Sequence, residues 1–295
     1  MFRMRAIVRL FYLPCFALLL LLPGARAQAL LLSCPSPHSG PQIGKYSGYT
    51  VRLVRSSNRG FRCQAFVAAP GGKASPGKAV AKDWALSINA LSGSDINGDG
   101  KPDLIVQGYS GGAHCCYTYH IISLSEGLPT LREIRNQVPI SFVKRTEGGA
   151  EVRTGDGVFD YFLLPHGSAV IPELFLRLDG DQLVDVGGEH VGDYDTLIEK
   201  ARSELTLDEL DKLRKSVYSQ NMFIDQLPAV KKVLTIVLNY LYSGREDQAW
   251  HALDEMWPRS DAERVKKLIL ERRSRGLLHG QSNKPELDRS SEVER

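Results

Sequence analysis

The chain has 295 residues, 43% hydrophobic and 24% charged, an ordinary globular composition with room for one large domain or two modest ones. Its formal charge of +3 rests on Arg3, Arg5, Arg9 and Arg26; without them the 37 basic residues become 33 against 34 acids, a net of −1. A near-neutral chain gives no electrostatic reason to expect nucleic-acid binding.

At the N-terminus Arg3, Arg5 and Arg9 precede an apolar run, Leu10 to Leu22, and Ala25-Arg26-Ala27 is a small-x-small cleavage site. The pattern is that of an export signal over residues 1–27, with Gln28 opening the mature protein. The run falls short of the ~20 apolar residues of a membrane span, so no span is expected once the signal is removed. The protein is expected in the periplasm or secreted. A weaker reading is a lipoprotein anchored at Cys34: Leu31-Leu32-Ser33-Cys34 loosely resembles a lipobox, in which Leu32 fits poorly.

Cys15 leaves with the signal, and Cys34, Cys63, Cys115 and Cys116 remain. An even set outside the cytosol implies two disulfides, with three connectivities open. The Cα atoms of adjacent Cys115 and Cys116 stand about 3.8 Å apart, below the usual disulfide span. Each is therefore expected to pair with Cys34 or Cys63.

Residues 28–44 read as an extended lead-in. From Tyr46 to about Val191 short apolar runs alternate with Gly, Asn, Asp and Pro, a β pattern. Tyr49 to Val54 and Phe61 to Ala68 flank a hairpin turn. Trp84, Leu86, Ile88 and Ala90 alternate toward Asp95, and Leu104-Ile105-Val106 leaves that region as a buried strand. His114 to Leu124 and Val158 to Leu164 read as strands. Glu173 to Leu178 and Gln182 to Val186 are joined by Asp179-Gly180, a hairpin signal. No helical pattern lies between these strands, so the expectation is an antiparallel sheet, sandwich or partial propeller.

Near Asp193 the period changes. Leu207, Leu210, Leu213 and Val217 recur at helical spacing behind a Thr206/Glu209 capping box. Pro228 opens a second helix that runs to Gly244, Glu246 to Met256 forms a third, and Ser260 with Glu263 caps a fourth. The polar stretch after Gly280 reads as a disordered tail. The fold class is α+β: a mainly antiparallel β domain over residues 28–192, a small all-α region over 193–280 and a tail over 281–295.

The most specific stretch is Asp95-Ile96-Asn97-Gly98-Asp99-Gly100-Lys101-Pro102-Asp103. Oxygen side chains at Asp95, Asn97, Asp99 and Asp103 occupy positions 1, 3, 5 and 9 of a calcium loop, and Lys101 offers its backbone carbonyl at position 7. Three carboxylates packed this closely repel one another without a cation. Position 12 is Val106 rather than a bidentate Glu, so the loop is framed by strands and is not an EF-hand.

Through Val106 this stretch resembles the FG-GAP/VCBS repeat of integrin-type β-propellers and secreted bacterial proteins. The resemblance implies calcium held by Asp95, Asn97, Asp99, the Lys101 carbonyl and Asp103. Tyr109 to Cys116 is similar to a segment that follows such loops in exported bacterial proteins. Gly155 to Asp160 and Asp179-Gly180-Asp181 are degenerate beside the complete loop. Leu238, Leu241, Tyr242, Gly244, Ala249, Trp250, Leu253 and Pro258 resemble one tetratricopeptide helix pair.

His114, Cys115 and Cys116 with His120 could bind zinc or serve as nucleophile and base, but export favours oxidised cysteines. Asp156 and Asp160 form an acidic pair of the kind glycoside chemistry uses. The basic residues Arg264, Lys266, Lys267, Arg272, Arg273 and Arg275 read as a solvated helix face. No catalytic or organic-cofactor set stands out. The expectation is an exported calcium-binding protein, a non-enzymatic binding or scaffold module with a protein or cell-envelope partner. The alternatives are an exported hydrolase with a structural calcium ion and an envelope adaptor acting through its C-terminal helices.

Overall fold

The computed structural model describes residues 32–57, 60–71, 77–112, 116–216 and 226–279. Among them twelve strands form three four-stranded antiparallel sheets, each a meander in sequence order. The first sheet holds β1 (Gln42–Tyr46), β2 (Tyr49–Arg55), β3 (Cys63–Ala68) and β4 (Lys78–Asp83). The second holds β5 (Ala85–Ile88), β6 (Asp103–Tyr109), β7 (Tyr117–Ser123) and β8 (Thr130–Asn136). The third holds β9 (Ser141–Lys144), β10 (Ala150–Gly155), β11 (Glu173–Asp179) and β12 (Gln182–Asp185).

Alternation sets the first sheet. Val51 and Leu53 on β2 and Cys63, Ala65 and Val67 on β3 are buried, and the residues between them are partly exposed, because side chains two apart share a sheet face. The second sheet is buried on both faces, which is why β6 reads Leu104-Ile105-Val106 without alternation. Leu104 and Val106 join the core of the first sheet, and Ile105 joins that of the third. Fully burying one such side chain contributes about 1.5–3 kcal/mol. The Tyr119 ring on β7 lies 5.8 Å from Phe142 on β9, and its hydroxyl accepts the Ile140 N–H at 2.7 Å. The three meanders follow one another in sequence, and the second shares a core with each of the others. Leu32 to Cys34 runs antiparallel along β5, with Cys34 N–H donating to Leu86 O and Ile88 N–H to Leu32 O, each at 2.8 Å.

Five helices follow among the described residues: α1 (Val191–Glu204), α2 (Leu207–Lys215), α3 (Leu227–Tyr242), α4 (Glu246–Met256) and α5 (Ala262–Arg273). The fold is thus α+β, strands first and helices after. The third sheet and the helices share one apolar core, from Val152 and Leu176 through Tyr194 to Val237 and Trp257. The capping box forms: Thr206 Oγ1 accepts the Glu209 N–H at 3.2 Å, and the Glu209 carboxylate accepts the Thr206 N–H at 2.9 Å.

Three expectations are corrected here. Val158 to Leu164 is not a strand; Gly157–Phe159 is a 3₁₀ turn, and Tyr161 and Leu163 adopt left-handed backbone at φ +57° and +55°. Phe159, Phe162 and Leu164 enter the shared core, and a short run that is apolar but for Asp160 carries no period to distinguish these outcomes. The last helix is led by Asp261, not Ser260; the Asp261 carboxylate accepts from Trp257 Nε1 at 2.9 Å and from Arg264. A helix, α1, precedes the four expected. Its buried Tyr194, Ile198 and Ala201 have helical spacing, but they are thin among polar neighbours. Val217, the proposed tail and residues 1–31 lie outside the described residues.

Candidate metal centre

The β5–β6 connection is closed at its base by backbone bonds: Gly93 N–H to Asp103 O at 2.7 Å and Asp103 N–H to Ser94 O at 2.8 Å. Within it the polar side chains fold onto the backbone, as Asx residues do in tight turns. Asp95 accepts from Gly98 N–H through Oδ1 (2.7 Å) and from Gly100 N–H through Oδ2 (2.9 Å). Asn97 Oδ1 accepts from Asp99 N–H at 3.3 Å, and Asp99 Oδ1 from Lys101 N–H at 2.8 Å. Gly98 and Gly100 both sit at φ +82° with open space where a Cβ would point. Glycine is needed there for left-handed backbone, not for room.

Asp103 opens β6 with no solvent exposure. Its Oδ2 accepts the Ile96 N–H at 2.8 Å, and its Oδ1 has no hydrogen-bond partner. Burial pushes its pKa up to about 6, with Asp99 and Asp95 adding to the rise and the Ile96 and Asn97 N–H groups opposing it. An unpartnered buried polar atom costs about 1–3 kcal/mol, more when charged. A cation beside Oδ1 removes that cost and the repulsion together. Each ionised carboxylate offers about four acceptor sites, and the turn bonds of Asp95 and Asp99 use only part of them. This donor set, all oxygen, fits a hard cation such as calcium. Among the described residues no three His, Cys, Asp or Glu side chains converge as a metal-holding group; the loop's set includes an amide and a peptide carbonyl besides its carboxylates.

The loop is docked on the third sheet. Ile96 O accepts the Ala150 N–H at 2.9 Å, at the start of β10, and Asn97 Nδ2 donates to Gly180 O at 3.1 Å, in the β11–β12 turn.

After β6 the turn Tyr109 to Gly112 is shaped by Asp83 and Trp84. A Cβ on Gly108 would collide with the Asp83 carboxylate, and one on Gly111 (φ +82°) would lie 2.8 Å from the Trp84 ring. The Arg62 guanidinium covers that ring 3.4 Å from its centroid. Ser110 Oγ accepts the Cys116 N–H at 2.8 Å, and the Tyr109 hydroxyl donates to Gly112 O. His114 and Cys115 lie outside the described residues.

His120 meets Glu133 across the β7–β8 register, Nδ1 to Oε2 at 3.3 Å, and Glu133 also holds Arg135 at 2.7 Å. The hydrogen bond from His120, ahead of the Arg135 charge, lowers the Glu133 pKa from 4.5 to about 2. Asp83 is raised by burial, against the Trp84 N–H and the charges of His120 and Arg135. Neither Glu133 nor Asp83 stands out in the sequence. Only strand register, which the sequence does not print, puts Glu133 opposite His120.

The cysteine pairing differs from expectation. Cys34 is bonded to Cys63, with Cα atoms 5.9 Å apart, because the lead-in lies along β5 and arrives at the start of β3. Cys116 is also disulfide-bonded, and its partner is therefore neither Cys34 nor Cys63. Anchoring a lipid at Cys34 would need the sulfur that this bond uses. Asp156 and Asp160 have separate tasks: buried Asp156 accepts from the Tyr242 hydroxyl at 2.6 Å, and Asp160 accepts from His166 Nδ1 at 2.8 Å. The basic residues of α5 are partly engaged rather than uniformly solvated. Arg264 pairs with Asp261, Arg272 donates to Val158 O at 3.1 Å, and Arg273 lies over Tyr242. No helix of the described residues is long and apolar enough to cross a membrane.

No family model, curated protein or solved structure matches the chain.

Proposed function

We propose that the protein is an exported calcium-binding module, a non-enzymatic binding or scaffold protein whose β5–β6 loop holds the ion and stabilises the β domain. The observation that carries this reading is Asp103 Oδ1, a fully buried carboxylate oxygen without a donor, inside a loop whose other oxygens stand at alternate positions. Resemblance of residues 95–106 to the FG-GAP/VCBS repeat supports the same ligands, with Lys101 contributing its carbonyl. The ion would act by neutralising charge and fixing the loop. The partner would be a protein or envelope component meeting the surface around the loop. The disulfide at Cys34 and Cys63 fits an exported setting.

Calorimetric titration of the intact protein with calcium tests the site. One ion per chain is expected, with Kd of about 10⁻⁴–10⁻³ M, the range of extracellular modules. Absence of binding by wild type at millimolar calcium contradicts the reading.

A second reading, an exported hydrolase with a structural calcium ion, draws on Asp83, His120 and Glu133. There neighbouring carboxylates are pushed in opposite directions, a pattern associated with acid–base pairs. A screen of hydrolase substrates, repeated on His120→Ala, tests it; turnover abolished by that change would replace the binding-only reading.

A further inference from the structure

We propose that Asn97 couples calcium in the β5–β6 loop to the β11–β12 turn, so that the ion fastens the second sheet to the third. The inference rests on the calcium reading above and names what the bound ion controls. One planar amide faces two ways. Its Oδ1 points into the loop, accepting the Asp99 N–H, and its Nδ2 points out, donating to Gly180 O at 3.1 Å. Asn97 is only 6% exposed, so neither bond is readily exchanged for water.

The residue type is what makes the coupling specific. Aspartate at this position would offer calcium another anionic oxygen, but it has no N–H for Gly180 O. It would instead set a carboxylate oxygen against a carbonyl oxygen. The same stretch is held a second time, through Ile96 O and the Ala150 N–H. The loop therefore meets the third sheet twice at one end of the β10–β11 pair, where the start of β10 lies beside the end of β11. Asp95 and Asp99 repel the Asp103 carboxylate inside the loop. A cation in the loop lowers that repulsion and holds the Asn97 amide in the orientation that reaches Gly180.

Hydrogen exchange on the full chain, with calcium chloride and with EDTA, tests the coupling beside calorimetric titration of the same samples. In wild type, calcium is expected to slow exchange both in residues 95–103 and in residues 179–182. Asn97→Asp alters a proposed ligand, so its exchange is read at the calcium concentration that titration shows to saturate it, where slowing in 95–103 is expected. It should lose the calcium-dependent slowing in 179–182, by about fivefold for one hydrogen bond. Asn97→Ser, which also lacks the amide donor, is measured beside it in case the added charge prevents folding. Slowing in 179–182 that persists in a folded variant overturns the coupling and leaves the metal site intact. So does wild-type binding that leaves 179–182 unchanged. A wild type that binds no calcium overturns the metal reading and the coupling together.

Discussion

At Asp103 a carboxylate oxygen lies inside the fold without a hydrogen-bond partner. If a cation completes that site, Asp103→Asn separates two effects. The amide oxygen can keep the Ile96 N–H bond, and the amide N–H₂ group can face Asp95 and Asp99. The variant is expected to melt in EDTA at or above the wild-type temperature and to lose its response to calcium. A variant that responds to calcium as wild type does would remove Asp103 from the ligand set. At Glu133 the sign runs with acidity. Its folded pKa is held near 2, below the ordinary 4.5, by His120. Its contribution is present above about pH 4.5 and is lost as pH falls through about 2. The stability gap between wild type and Glu133→Gln, read from urea midpoints, should narrow across that window; a gap equally wide at both ends would show that the pair does not carry it. The two residues also differ in legibility. Asp103 is readable because the proposed calcium ligands lie within one short loop. Glu133 and Gly180 are not, because their partners are brought to them by strand register and by docking of one sheet on another.

Among the elements, hairpins with strong turn chemistry are readable: β2–β3, and β11–β12 around Asp179-Gly180. The pattern marks neither β1 and β4 nor β8, β9 and β10 individually. Residues of β1, β4, β8 and β9, each at a sheet edge, are mostly half-buried or exposed, and a strand with two polar faces carries no alternation to read; β10 lies inside its sheet but buries only Ala150 and Val152. The Val158 to Leu164 run misleads for the opposite reason: Phe159, Phe162 and Leu164 are apolar because they enter the core that the third sheet and the helices share. The turn after β6 shows how one element constrains another. Gly111 combines left-handed backbone with the Trp84 ring where its Cβ would be. Left-handed backbone costs an L-residue about 1–2 kcal/mol, and overpacking adds about 1–3 kcal/mol. Gly111→Ala should therefore lower unfolding stability by roughly 2–5 kcal/mol in denaturant titration, with a change in tryptophan emission. A loss under ~0.5 kcal/mol, ordinary for a surface substitution, would mean that the turn does not clamp Trp84.

Over the whole molecule, strands followed by helices is visible in the change of period near Asp193. The shared core is not, because nothing local in the sequence states that the third sheet packs on α1 and α3. Phe175 meets Tyr194 edge to face at 5.4 Å, and Asp156 receives the Tyr242 hydroxyl from the far end of α3. Burial raises Asp156, with the Tyr242 bond opposing the rise, so this contact joins β-sheet and helices through a buried polar pair. The proposed ion would have a comparable place at the opposite end of the β10–β11 pair, where the β5–β6 loop meets Ala150 and Gly180. A site fastening two sheets is expected to stabilise the fold as a unit. Calcium at ten times its Kd adds about 1.4 kcal/mol, roughly 3–6 °C in melting temperature. The most direct measurement is therefore thermal unfolding of the disulfide-intact protein in calcium chloride and in EDTA. A single transition that rises by several degrees with calcium is predicted; superimposable curves would contradict a calcium-stabilised fold.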